Sequence, residues 1–299
     1  MKKHTAVILT LSASLIFFLI ILIQELGSNS PIENLLKELN INYNFDKKDT
    51  SPPTNDENFE VLKSKISQEE GIYGLYIKDM LSGKTFEINT KEEFYPLSLF
   101  KLPIAYIVTR DVEKGELKWE DAVEYNREDF FNQYGTIHSF GFGSEFELEK
   151  VVELMLRESD NAAPNILKRY LGEDYLNNEF KKVSGFTSYD LFDDELLTTP
   201  ERCAYIIEGI FYKKWLNDES VNLLLSFLNP TSYDEALIPY LNESLTFYHK
   251  VGFSTGMYHD CGIIRGAGKD IILCLMSKDI TEESYDRVNQ YVAEFVNSY

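Results

Sequence analysis

The sequence predicts a mixed α/β (α+β) fold: an antiparallel sheet assembled from both chain ends, flanked by helices, with an all-helical lobe beside it. Three observations predict it. Two strand patterns, Ile72–Ile77 and Thr85–Ile88, stand near the start, separated by the turn signal Leu81-Ser82-Gly83-Lys84. Three more, Leu245–Phe253, His259–Arg265 and Ile271–Met276, stand near the end. Between the two groups, residues 111–244 carry helical periodicity and polar loops, with no convincing strand pair. With 44% hydrophobic residues among 299, the chain can fill one large core or two packed layers.

Along the chain, Met1-Lys2-Lys3-His4 is a short basic start, and Ala6 to Gln24 is almost wholly apolar. That run approaches the roughly 20 residues a helix needs to cross a bilayer. Its small residues, Ser12-Ala13-Ser14, lie inside the apolar run rather than at a cleavage site after it. Residues 1–24 therefore read as an uncleaved transmembrane anchor, with a cleaved secretory signal as the alternative. Lys2 and Lys3 keep the start in the cytoplasm and place the remainder outside the cell. Residues 25–57 are polar and carry prolines, notably Ser51-Pro52-Pro53, and read as a flexible stalk. The folded domain is expected over 58–299. Phe59–Ile66 has helical spacing, Pro96-Leu97-Ser98 opens an apolar helix to about Arg110, and Glu282–Val296 closes the chain as an amphipathic helix.

The formal net charge of −20 repels phosphate backbones, so nucleic acid is not an expected partner. Three cysteines are too few for a disulfide-dense scaffold, and no Cys/His group has metal-ligand spacing, so no metal or other cofactor is expected. Cys261 and Cys274 are equidistant from a turn near Ala267-Gly268, so they should face one another across two antiparallel strands. They read as small buried hydrophobes rather than as a disulfide. The domain is expected to be monomeric.

Three short motifs carry chemistry. Ser98-Leu99-Phe100-Lys101 is an S-x-x-K at a helix start, where a spacing of three puts both side chains on one face. A serine hydroxyl needs a neighbouring base, and a lysine in an otherwise apolar helix can serve if burial removes its charge. Ser159-Asp160-Asn161 follows a helical run, and alone reads as a helix cap. Lys250-Val251-Gly252 lies in a strand, and alone is ordinary.

Together and in this order, S-x-x-K, S-D-N and K-x-G resemble the signature of class A β-lactamases and penicillin-binding proteins, over roughly residues 58–299. The resemblance implies a β-lactamase/transpeptidase-like fold. It implies Ser98 as the acylated nucleophile and Lys101 as its general base. Ser159 would pass a proton to the leaving nitrogen, Asn161 would bind the substrate amide, and Lys250 would hold Ser159 and attract an anionic substrate. The backbone N–H groups of Ser98 and of Phe253, which follows Gly252, would form the oxyanion hole.

Two departures stand out. The family places Thr or Ser where this chain has Val251, and often a small hydroxyl residue where it has Phe253; Ser254 and Thr255 come next and are the replacement candidates for binding a substrate carboxylate. The family's E-x-x-L-N string is absent. Counting forward from Asn161 leads to Glu195 as candidate deacylating base, whereas counting back from Thr198-Thr199-Pro200 leaves the loop too short, and a solvated carboxylate is the other reading. The expected function is a membrane-bound, extracellular serine acyl-enzyme hydrolase acting on β-lactams or related cell-wall amides. The alternatives are a penicillin-binding D,D-peptidase or esterase with slow deacylation, and a wall-binding or sensory ectodomain with weakened catalysis.

Overall fold

The computed structural model describes residues 53–132, 134–184, 190–213 and 215–299. The expected anchor, 1–24, and the expected stalk up to residue 52 lie outside them. Helix α1 spans Asn55–Ile66 and begins ahead of the expected domain start at Asn58. The reason is a capping box: the Thr54 hydroxyl accepts from Glu57 N–H, and the Glu57 carboxylate accepts from Thr54 N–H at 2.7 Å. Residues 55–57, assigned to the stalk by composition, thus form the helix's first turn.

The sheet has five antiparallel strands in the order β2-β1-β7-β6-β5, comprising β1 (Ile72–Asp79), β2 (Thr85–Ile88), β5 (Thr246–Ser254), β6 (Met257–Gly266) and β7 (Lys269–Lys278). It is built from both chain ends, as expected, because β1 pairs with β7 from Ile72↔Lys278 to Asp79↔Ile271. The β6–β7 turn is Ala267-Gly268, with φ of 47° and 76°. Positive φ at both positions suits a two-residue hairpin and fixes its register. Cys261 therefore pairs directly with Cys274, as the count from the turn predicts, and both thiols are free and buried.

One sheet face is covered by α1 and the closing helix α8 (Glu282–Ser298), through Phe59, Leu62, Val288, Val292 and Phe295 packed on Leu75, Phe86 and Leu273. The other face carries the helical lobe: α2 (Lys101–Glu113), α3 (Leu148–Arg157), α4 (Ala162–Leu171), α5 (Glu173–Ser184), α6 (Pro200–Phe211) and α7 (Asp218–Leu228). Every residue of α2 from Lys101 to Thr109 is buried, which is what an almost uniformly apolar helix requires.

The lobe also contains a strand pair that the sequence did not predict. Strand β3 (Ala122–Tyr125) pairs antiparallel with β4 (Ser144–Glu147). Each has only four residues, and the long connection between them carries no tight-turn signature, so neither periodicity nor turn chemistry exposes the pair.

Candidate active site

The first motif does not begin as α-helix. Leu97–Phe100 form a 3₁₀ turn, and α2 starts at Lys101. Leu97 holds a φ of 48°, a left-handed conformation costly for a side chain with a branched γ-carbon, so the residue before Ser98 is strained. The turn is clamped on both sides. The Phe94 and Thr198 backbones exchange hydrogen bonds of 2.9 Å in both directions. On the other side, a Cβ added to Gly252 would stand 2.8 Å from Leu97 Cβ and 2.9 Å from Ser98 N. Only glycine lets β5 approach the Ser98 backbone this closely.

Lys101 is fully buried, and its Nζ is the hub of the site. It donates to Asn161 Oδ1 at 2.6 Å and to the Ser159 carbonyl at 2.7 Å, and stands 3.1 Å from Ser98 Oγ and 3.3 Å from Ser159 Oγ. The two shortest contacts are to oxygens that can only accept. The two longer ones are to hydroxyls, which can also donate. A neutral amine has two protons and one lone pair, so this arrangement satisfies both protons and leaves the lone pair facing hydroxyls. Burial, and then the like charge of Lys250, hold the Lys101 amine well below the ordinary lysine range.

Ser159 sits between the two lysines, also in a strained left-handed conformation, φ 53°. Lys250 donates to its Oγ at 2.9 Å and to the Val251 carbonyl at 2.9 Å. Burial pushes Lys250 down to about 7, with Asp260 opposing. Asp160, between Ser159 and Asn161, is buried and structural. Its Oδ1 accepts from Ala162 and Ala163 N–H at the head of α4, and its Oδ2 accepts from Ile137 N–H at 2.8 Å. That last bond pins the loop carrying Tyr134, whose carbonyl accepts from Asn161 N–H.

The structure thus brings Ser98, Lys101, Ser159, Asn161 and Lys250 into one hydrogen-bonded cluster, with Gly252 and the Phe253 backbone against it. It does not bring the remaining candidates there. Ser254 and Thr255 are exposed where β5 turns into β6, and neither makes a hydrogen bond to the cluster. Glu195 is also exposed, on the turn before α6, beside exposed Asp193 and Asp194. The same loop buries Leu191 and Leu196 and lays Phe192 edge-on to Phe100, with ring centroids 6.2 Å apart. Among the described residues of this loop, it is Phe192 that meets the turn of the first motif, while Glu195 stays in solvent.

Sequence reasoning passed over one buried network. His249, next to Lys250, stands 2.7 Å (Nδ1) from Asp260 Oδ1 and 3.1 Å (Nε2) from Asp234 Oδ1. Burial opposes its protonation, but Asp260 and Asp234 outweigh burial and raise it to about 9. A signal existed: adjacent His and Lys in an apolar strand, with Asp260 opposite Val251 on the next.

Residues 59–297 match the model of the beta-lactamase enzyme family. Among curated relatives, the β-lactamase VEB-1 of Pseudomonas aeruginosa is 26% identical over 184 residues, 58% of each chain, so this chain spans less than two thirds of that protein's length. The extended-spectrum β-lactamase PER-1 of the same organism is 26% identical over 228 residues, 69% of this chain and 73% of that protein. Among solved structures, an acyl-enzyme complex of a PBP-A variant with penicillin G shares the fold at a TM-score of 0.73 and 22% identity, covering 81% of this chain and 97% of the other. With the family's model covering nearly all of the described domain, the chain belongs to the beta-lactamase enzyme family.

Proposed function

We propose that this is an acyl-transferring enzyme of the penicillin-binding type, which acylates at Ser98 and deacylates slowly. Its substrates are β-lactams or related cell-wall amides. The observation that carries the reading is the buried Lys101 Nζ, within 3.1 Å of Ser98 Oγ and hydrogen-bonded to no carboxylate among the described residues. Neutral Lys101 takes the Ser98 proton as Oγ bonds to the substrate carbonyl carbon. The Ser98 and Phe253 N–H groups receive the oxyanion. The C–N bond then breaks, and the leaving nitrogen takes a proton from Ser159 Oγ, which regains one from the lysines on either side. Asn161, already fixed by Lys101, orients the substrate amide.

Hydrolysis of the acyl-enzyme needs a base for water. The loop that could supply one buries Leu191 and Leu196 and keeps Glu195 in solvent. This supports a long-lived acyl-enzyme over rapid β-lactam turnover. The apolar run at 6–24 supports placing the domain outside the cell on a membrane anchor.

Intact-protein mass spectrometry with penicillin G, followed over hours, tests the reading. The expected result is a single adduct that accumulates and persists. No adduct, together with no penicilloate, would remove the acyl-transfer assignment. Rapid release of penicilloate without a persisting adduct would replace it with an efficient β-lactamase.

A further inference from the structure

The acyl-transfer steps make no use of His249 and Asp260, yet both are buried beside Lys250. His249 Nδ1 stands 2.7 Å from Asp260 Oδ1, and Nε2 stands 3.1 Å from Asp234 Oδ1 and 3.4 Å from Thr231 Oγ1. Carboxylate oxygens only accept, so both ring nitrogens donate and the imidazole is a cation. A neutral ring would set a lone pair against one of the two acids. Asp260 is fully buried, and its Oδ2 has no hydrogen-bond partner among the described residues. A carboxylate so placed keeps its charge only with a cation beside it. Burial pushes the Asp260 carboxyl up, and His249 and then Lys250 pull against it.

Strand β5 is at the edge of the sheet, and Asp260 of β6 lies opposite Val251, one rung from Lys250, which lies opposite Cys261. Side chains alternate along a strand, so His249 and Asp260 share one face and Lys250 takes the other, toward Ser159. The Asp260 charge reaches Lys250 through buried protein, where screening is weak. The other titratable groups facing Asp260 are Tyr258 and Cys261 of β6, Cys274 of β7 and Tyr285 of α8. Burial raises each of them and keeps it neutral near neutral pH. Glu235, next to Asp234, is exposed. The charged groups left around Asp260 are His249, Asp234 and Lys250.

The two buried lysines meet at Ser159 Oγ, Lys250 at 2.9 Å and Lys101 at 3.3 Å. Charge on either one disfavours charge on the other. What separates them is the anion behind each. Asp160, on the Lys101 side, has both oxygens taken by the N–H groups of Ile137, Ala162 and Ala163. Asp260, on the Lys250 side, keeps one oxygen unengaged and opposes the effect of burial on Lys250.

We propose that Asp260, held as an anion by His249 and through it by Asp234, is the positioning residue that decides which buried lysine carries the shared proton: Lys250 holds it as an ammonium ion, and Lys101 stays the amine that accepts from Ser98. Lys250 then has a proton to return to Ser159 after Ser159 has protonated the leaving nitrogen. The proposal rests on the acyl-transfer reading above.

Two measurements test it. The first is an NMR titration of lysine side chains labelled at the ε-carbon, with the two signals assigned by Lys101→Arg and Lys250→Arg. In the wild type Lys250 should titrate above Lys101. In Asp260→Asn, Lys250 should titrate lower by about one pH unit or more, and Lys101 higher. The second is the pH dependence of Ser98 acylation by penicillin G. Asp260→Asn should slow it about tenfold or more near neutral pH and move its rising limb to the alkaline side. A guanidinium stays charged without help, so adding Asp260→Asn to Lys250→Arg should change the rate by less than about threefold and leave the limb in place. If Asp260→Asn fails to fold by thermal melt, His249→Gln, which removes the cation that keeps Asp260 ionised, makes the same comparisons. Lysine titrations unchanged in the folded variant overturn the proposal. So does a rate loss of equal size with and without Lys250→Arg and with no displaced limb, which would make Asp260 a prop for β5 only. If penicillin G acylates the wild type but the lysines titrate in the reverse order, the proton placement alone falls. If the titrations move as expected and penicillin G acylates no form, it is the acyl-transfer reading that falls.

Discussion

Lys101 Nζ donates to Asn161 Oδ1 at 2.6 Å, the shortest contact the lysine makes, although 60 positions separate them in sequence. The amide oxygen can accept but cannot become an anion, so it orients Lys101 without fixing a proton on it. Asn161→Asp would put a carboxylate at that distance and raise the lysine's pKa. Acylation near neutral pH should fall by about ten- to a hundredfold, with the pH–rate profile displaced to the alkaline side. An unshifted profile would mean that Lys101 is not the base.

Loss of Ser98 or Lys101, the proposed nucleophile and base, should be close to total. Ser98→Ala and Lys101→Ala are each expected to lower acylation by about a thousandfold or more, and the double variant should be little worse, because members of one catalytic unit are not additive. Labelling with an acylating probe measures it. Equal labelling of wild type and both variants would place the nucleophile elsewhere.

Gly252→Ala tests the clamp on Ser98. The added Cβ would meet Ser98 N at 2.9 Å and Leu97 Cβ at 2.8 Å, displacing the turn that aims the hydroxyl and its N–H. Acylation should drop by about a hundredfold with a much smaller change in melting temperature, since an ångström at the reacting atoms costs far more rate than stability. A variant with wild-type acylation would show that β5 can retreat freely.

The buried His249 makes stability depend on pH. Its folded value, about 9, lies above the ordinary 6.5, so the stabilisation from Asp260 and Asp234 is complete below about pH 6.5 and lost as pH rises through 9. Lys250 acts oppositely: its value of about 7 lies below the ordinary 10.5, so its burial penalty is largest below pH 7 and disappears toward 10.5. His249→Gln should therefore lose on the order of 3 kcal/mol more stability near pH 6 than near pH 9.5. Urea denaturation at the two pH values gives the difference, and equal losses would show that the histidine carries no charge in the fold.

The domain boundary can be measured with two fragments. One starting at residue 53 keeps the Thr54 capping box, whereas one starting at 58 loses the cap and first turn of α1, which should cost about 1–2 kcal/mol. Both are expected to fold and to elute as monomers. Equal melting temperatures would show that the cap contributes nothing, and a dimeric elution would contradict the monomer.

Much of this was legible in the sequence for local reasons. Strand alternation gave β1, β2, β5, β6 and β7 within a few residues, and the turn at Ala267-Gly268 fixed the Cys261↔Cys274 register, because a two-residue turn leaves no freedom in pairing. The three motifs selected Ser98, Lys101, Ser159, Asn161 and Lys250, because their chemistry depends on residue type and on spacing within one element. Other features depend on segments far apart in the chain. The β3–β4 pair is too short to show a period. Glu195 faces solvent because Leu191 and Leu196 take the inward positions of its loop, and a count from a motif cannot choose between neighbouring side chains there. His249 gains its charge only once Asp234 and Asp260 are folded around it. The sequence by itself therefore determined that one antiparallel sheet is built from both chain ends, and which residues are able to do the chemistry, through periodicity and motif. Only the tertiary structure decided which groups touch, which are neutral and which face solvent, because burial and proximity are set by packing between elements that no local pattern encodes.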